Sequence, residues 1–183
     1  MRKFVEQAHR QTWTGSKLEP ASVNDISIYP QTNNWSCGPM ALRYCFAWYG
    51  ADVNQREIAE QAYSTRAGTG VLKLQLAAHR FGFKWHAYTL ISARSAKDTI
   101  DRLLKRGQPV ILCVDNYDHW IAVMHHDHRG YLVFNSDRPG PVIQLRGWKW
   151  LKRKMRFVPK ETGQPIYFVS SISRSVQREP LGI

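Results

Sequence analysis

Hydrophobic and polar positions along the 183-residue chain repeat with two different periods. From Cys37 to Gly50 apolar residues return every three or four positions, so Met40, Ala41, Tyr44, Cys45 and Trp48 share one helical face, which Gly50 ends. Gly38 and Pro39 give this helix a tight start and a preset first turn. Asn54-Gln-Arg-Glu57 has the form of a capping box and opens a second helix carrying Ile58, Ala59, Ala62 and Tyr63. Thr69 is placed to cap a third, with Val71, Leu72, Leu74 and Leu76 inward and Gly82 as its stop. Ser95-Ala-Lys-Asp98 caps a fourth, whose inward stripe is Ile100, Leu103 and Leu104 before Gly107.

Short apolar runs predict strands near 83–90, 109–114, 119–125, 131–135, 141–145 and 166–170. Helices crowd the first half and strands the second, the pattern of an α+β domain with segregated parts. Residues 1–24 are polar and irregular and read as an arm. Residues 25–170 read as one domain and 171–183 as a frayed, flexible tail. With 43% hydrophobic residues and seven tryptophans the chain has material for a substantial core. It lacks the run of about 18 apolar residues that a membrane-spanning helix needs. Charges near Met1 interrupt any signal-peptide pattern, and three cysteines with no evident pairing fit a reducing compartment, so the expected location is cytoplasmic.

Candidate chemistry begins at Cys37, which the pattern sets at a helix N-terminus. Unpaired backbone N–H groups and the positive end of the helix dipole favour thiolate there, and thiolate is the nucleophilic form. Gln31, six residues upstream, is placed to donate to an oxyanion beside the sulfur. His119 heads the apolar run His119-Trp-Ile-Ala-Val-Met124, where a strand meets the polar loop Asp115-Asn-Tyr-Asp118. A following strand, Tyr131-Leu-Val-Phe134, ends in Asn135-Ser-Asp137, and an antiparallel hairpin returns that end to His119. Either Asn135 or Asp137 can then accept the imidazole N–H, as the third member of a triad does. Cys45 lies about 12 Å along the same helix, too far to bridge Cys37, and reads as core, as does Cys113. His125, His126, Asp127 and His128 crowd into a turn, a place for solvated polar residues, where alternate strand positions would face apart rather than converge on zinc. His79 and His86 read as structural or surface residues.

The order Gln31-x5-Cys37-Gly38-Pro39, then 68–82, Gln108-Pro-Val-Ile-Leu112, His119-Trp and a strand ending at Asn135, resembles the papain-like cysteine peptidases of the C39 and C39-like group. The resemblance implies a papain-like fold, in which the helix of the nucleophile packs on an antiparallel sheet carrying the histidine. It implies Cys37 as nucleophile, His119 as general base and acid, and Gln31 with the Cys37 N–H as the oxyanion hole. Many members carry aspartate followed by proline after the second strand, where this chain has Asn135 and Ser136. The ungapped fit of 131–134 to the strand of the family favours Asn135, with Asp137 the competitor. The implied activity is peptide hydrolysis through an acyl-enzyme, with peptide or protein substrates and no cofactor or metal.

Two other readings stay open on the same residues. Resolution of the acyl-enzyme by an amine gives an acyltransferase or transglutaminase-like enzyme, and a glutamine side chain as substrate gives a deamidase. A different class is an inactive papain-like scaffold that binds an acidic partner or nucleic acid. Net charge adds to this, at +12, with Arg146, Lys149, Lys152, Arg153, Lys154, Arg156 and Lys160 in a run free of acids. Trp148, Leu151 and Met155 recur within that run at helical spacing, predicting an amphipathic helix with a strongly basic face that suits acidic substrates or partners.

Overall fold

All five residues of β2 (Val110–Val114) are buried, because helices cover both faces of the sheet to which the strand belongs. The computed structural model describes residues 30–137 and 142–175. The arm expected at 1–24 lies outside them. The helices are α1 (Cys37–Trp48), α2 (Gln55–Gln61), α3 (Val71–Arg80), α4 (Ala93–Lys105) and α5 (Trp148–Met155). The other strands are β1 (Phe83–Leu90), β3 (His119–Asp127), β4 (Gly130–Phe134), β5 (Ile143–Arg146) and β6 (Tyr167–Arg174). They form one antiparallel sheet in the order β1-β6-β2-β3-β4-β5. The architecture is the expected α+β class.

The period of two along the strands divides the core. Ile111, Cys113, Trp120, Ala122, Met124, Leu132 and Phe134 join the layer of α1, α2 and α3. Val110, Leu112, Val114, Ile121, Val123, Tyr131 and Val133 join the layer of α4 and α5. On the first face α1 is buried along almost its whole length, and the Tyr44 ring lies 5.2 Å from that of Phe134 in β4. Trp48 Nε1 donates to Gly107 O at 2.9 Å, which fixes the far end of α1 beside the turn after α4. Positive φ at Gly50 and Gly82 ends α1 and α3 where those glycines predicted.

Several boundaries and faces differ from expectation. In α3 the inward residues are Leu74, Ala77 and Ala78, while Val71 and Leu76 are partly exposed and Leu72 is 76% exposed. The helix lies close to α1 and β1, and small alanines permit that approach where larger side chains would not. Its N-cap is Gly70 rather than Thr69. In α2 the Asn54 side chain accepts from Glu57 N as expected, but Tyr63 falls beyond the helix, exposed and at φ 48. The helix expected from Ser95 begins three residues earlier, because Ser92 caps it by accepting Ser95 N. The helix in the basic run is shorter than 146–160, with Leu151 and Met155 buried. Finally β6 continues through Ser171, Ser173 and Arg174, which were expected in the tail, since it inserts between β1 and β2 and buries Ser171 and Ile172. No helix among the described residues is long and apolar enough to cross a membrane.

Candidate active site

Cys37 is the first residue of α1, as the pattern predicted, and it is buried. Ser36 precedes it without forming a side-chain cap, so the start of the helix keeps its backbone donors for another use. Gly38 has an ordinary helical backbone and is required for space rather than for a turn. A Cβ there would stand 3.2 Å from Leu74 Cδ2 and 3.2 Å from Trp120 Cδ1, inside normal carbon contact. Trp120 is itself held, since its Nε1 donates to Thr69 O at 2.9 Å. The residue after His119 is thereby wedged between the start of α1 and the lead into α3.

His119 opens β3, at the end of the loop 115–118. Its Nε2 lies 2.7 Å from Asn135 Oδ1, and the Cys37 side chain acts on the same imidazole, favouring its charged form. With Nε2 engaged by Asn135, Nδ1 is the nitrogen left for sulfur. The backbone N–H of Asp137 also donates to Asn135 Oδ1, at 3.1 Å, so two donors hold that oxygen in place. Burial acts to lower the histidine pKa. Hydrogen bonds to Cys37 and Asn135, with the charges of Cys37 and Asp137, outweigh it and leave the imidazole above its ordinary value.

Continuing the β3–β4 register past the pair Ala122–Phe134 sets Asp137 opposite His119 and Asn135 two positions short, on the same side. The side-chain contact goes to the diagonal neighbour, Asn135, while the Asp137 carboxylate remains exposed. Gln31 is buried against this segment. Its N–H donates to Ser136 O at 3.2 Å, and its Oε1 accepts from Ser136 Oγ at 2.9 Å, which leaves the amide NH2 as the free donor end. Ser136, only 1% exposed, and Trp120 were not foreseen as parts of the site. The one sequence signal for Ser136 was that it occupies a position where the resembling family carries proline.

Burial pushes the thiols of Cys45 and Cys113 up, that of Cys113 to about 12, in keeping with core residues. His125 and His126 belong to β3, and His126 stacks on Tyr131 with ring centroids 5.4 Å apart. Among the described residues no three His, Cys, Asp or Glu side chains gather as a metal ion would require. The arrangement of sulfur, imidazole and amide oxygen is one that can deprotonate a thiol and return the proton to a leaving group.

A model of the Peptidase C39 family matches residues 25–142. No curated protein matches the sequence. Among solved structures, the chain is similar to the peptidase domain of Streptococcus ComA, a bi-functional ABC transporter involved in quorum sensing. That match has 18% identity and TM-score 0.56, covering 78% of this chain and 97% of that one. A double glycine motif protease from an AMS/PCAT transporter, solved with its leader peptide, matches at 17% identity and TM-score 0.58, covering 84% and 99%. A C39-like peptidase from Bacillus anthracis matches at 14% identity and TM-score 0.55, covering 86% and 100%. At these identities the structural likeness speaks to the fold.

Proposed function

Because the chain belongs to the Peptidase C39 family and is therefore a cysteine peptidase, we propose that it hydrolyses peptide bonds through Cys37, His119 and Asn135, with Gln31 as an oxyanion donor. The observation that carries this reading is the imidazole of His119, held by Asn135 on Nε2 at 2.7 Å with the Cys37 side chain close enough to favour its charged form. Nδ1 takes the thiol proton, and the thiolate attacks the scissile carbonyl carbon. The Gln31 amide and the Cys37 N–H receive the oxyanion. The imidazolium gives its proton to the departing amine, leaving a thioester. Water, deprotonated by His119, then attacks the thioester, releases the acid and restores Cys37.

In this reading Asn135 fixes the tautomer with Nε2–H, and Asp137 supports it with a backbone N–H and a nearby negative charge. Peptide substrates are favoured by the family and by the solved neighbour that carries a leader peptide. All three cysteines are free thiols, which fits residence in the reducing cytoplasm. The test is turnover of a peptide library by the wild type beside Cys37→Ala and His119→Ala. Equal turnover by all three proteins refutes the assignment, and products that appear only with added amine would redirect it to acyl transfer.

A further inference from the structure

The loop leading into His119 is fastened to α5. Asp115, Asn116 and Tyr117 adopt φ of 53, 58 and 68, three successive left-handed residues that need surrounding contacts to persist. Those contacts come from the C-terminal end of α5 and beyond. Asp115 N–H donates to Lys154 O at 2.9 Å, and Lys154 Nζ donates to both Asp115 carboxylate oxygens at 2.7 and 2.9 Å. The Tyr117 ring packs 4.4 Å from Phe157 and 5.2 Å from Phe168. Asp115 stands four residues before His119, so the chain between them spans at most about 14 Å.

On the outer side of this fastening Lys149, Lys152, Arg153, Arg156 and Lys160 are exposed, and none is ion-paired among the described residues. The nearby acids are Asp115, already paired with Lys154, together with Asp118 and Glu161. We propose that this exposed basic face, formed by α5 and the residues that follow it, is a subsite for acidic side chains of the peptide substrate. It would engage substrate residues outside the immediate cleft, several positions from the scissile bond. The inference rests on the peptidase reading. Nucleic acid is the poorer occupant, because Trp150 is covered by Arg146 and Lys154 at 5.2 and 5.8 Å and Trp148 packs on Tyr131, so neither tryptophan of α5 is offered bare to a base. A membrane surface is poorer too, since the apolar residues of α5, Leu151 and Met155, are buried.

The test measures anisotropy of a fluorescein-labelled peptide of four glycines and six glutamates on the full chain carrying Cys37→Ala, beside its glutamine counterpart. In parallel, the same peptides are scored for slowing iodoacetamide alkylation of Cys37 in the wild type. The acidic peptide is expected to bind at least about tenfold more tightly than the glutamine one and to protect Cys37. Lys152→Glu/Arg153→Glu/Arg156→Glu should abolish both effects, and the triple glutamine variant should weaken them, with alkylation in the absence of peptide unchanged in each. Equal binding of the two peptides, binding without protection, or retention by both variants overturns the proposal. So does tighter binding of an oligothymidine strand or phosphatidylserine vesicles to this face. A failed peptidase reading would appear separately, as absence of library turnover, because neither measurement here requires hydrolysis.

Discussion

Replacing Ser136 by alanine removes one hydroxyl from a position that is 1% exposed, and its partner, the Gln31 amide, is buried as well. The lost bond, Ser136 Oγ to Gln31 Oε1 at 2.9 Å, leaves the buried amide oxygen without its side-chain donor. A buried acceptor stranded in this way costs about 2 kcal/mol, above the net value of an ordinary hydrogen bond. For a 183-residue chain that corresponds to a fall in Tm of about 4–8 °C. The effect on activity has a different origin. With the hydroxyl gone, nothing distinguishes the oxygen end of the Gln31 side chain from its nitrogen end, and the donor is no longer aimed. Loss of an oxyanion donor lowers kcat by about 100- to 1000-fold, which sets the expectation for Gln31→Ala. Ser136→Ala should fall short of that loss, with kcat reduced more than KM is raised. The assay is a double-mutant cycle of Ser136→Ala and Gln31→Ala, read in both kcat and urea denaturation. In the Gln31→Ala background the serine substitution should have little further effect on kcat. A wild-type kcat for Ser136→Ala, or losses that multiply fully in the double mutant, would refute the reasoning.

Asn135→Ala removes the acceptor that holds the His119 ring and should lower kcat/KM by up to about a hundredfold, the scale of a small misplacement, whereas Asn135→Asp should retain most activity. The raised pKa of His119 means that its charged form contributes stability fully below its ordinary value near 6.5 and loses it as pH rises through the higher folded value. The basic limb of the kcat/KM profile should lie above that ordinary value, and Asp137→Asn should move it to lower pH by removing a charge that favours imidazolium; an unmoved limb would count against the role of Asp137. Gly38→Ala relieves a helical glycine, worth about 0.5–1 kcal/mol, but forces a methyl within 3.2 Å of Leu74 and Trp120, and overpacking of about 1–3 kcal/mol should win. Denaturation should show net destabilisation, with reduced kcat as Trp120 shifts beside His119.

Elements with a regular local period were legible from sequence. The stripe from Met40 to Trp48 has one helical solution, and the runs at 110–114 and 119–124 have the composition of buried strands. What escaped depends on partners distant in sequence. Hydrophobicity directed Val71, Leu72 and Leu76 inward, but a helix in close contact with α1 and β1 is better served by Ala77 and Ala78. The serines at 171 and 173 concealed the extent of β6, which pairs with β1 and buries Ser171 by donating its hydroxyl to Pro109 O at 2.8 Å. At the candidate site the motif singled out Cys37 and His119, but two-residue periodicity puts Asn135 and Asp137 on one side of β4. Counting along a hairpin could not choose between them, and the contact itself is a diagonal one. The Ser136–Gln31 bond spans 105 residues and has no local signature.

Residues 135–137 form a single unit, and their alternation explains how the chain departs from the aspartate–proline pattern without losing the arrangement that pattern supports. Asn135 and Asp137 project to one side, the first onto His119 and the second offering its backbone N–H to the Asn135 oxygen. Ser136 projects to the other side and holds Gln31 through both its carbonyl and its hydroxyl. A proline at 136 has no hydroxyl to give, so the serine adds an anchor for the amide that the family residue cannot form. A neutral asparagine beside the imidazole gives up the attraction of a full negative charge, and Asp137, exposed and two residues on, supplies part of it at longer range. The two departures therefore lie within three consecutive residues, and restoring proline at 136 alone should be more damaging than restoring both family residues together. Ser136→Pro alone would strand Gln31 while leaving the weaker acceptor on His119, whereas Asn135→Asp with Ser136→Pro regains the charge and should recover kcat relative to the single proline variant.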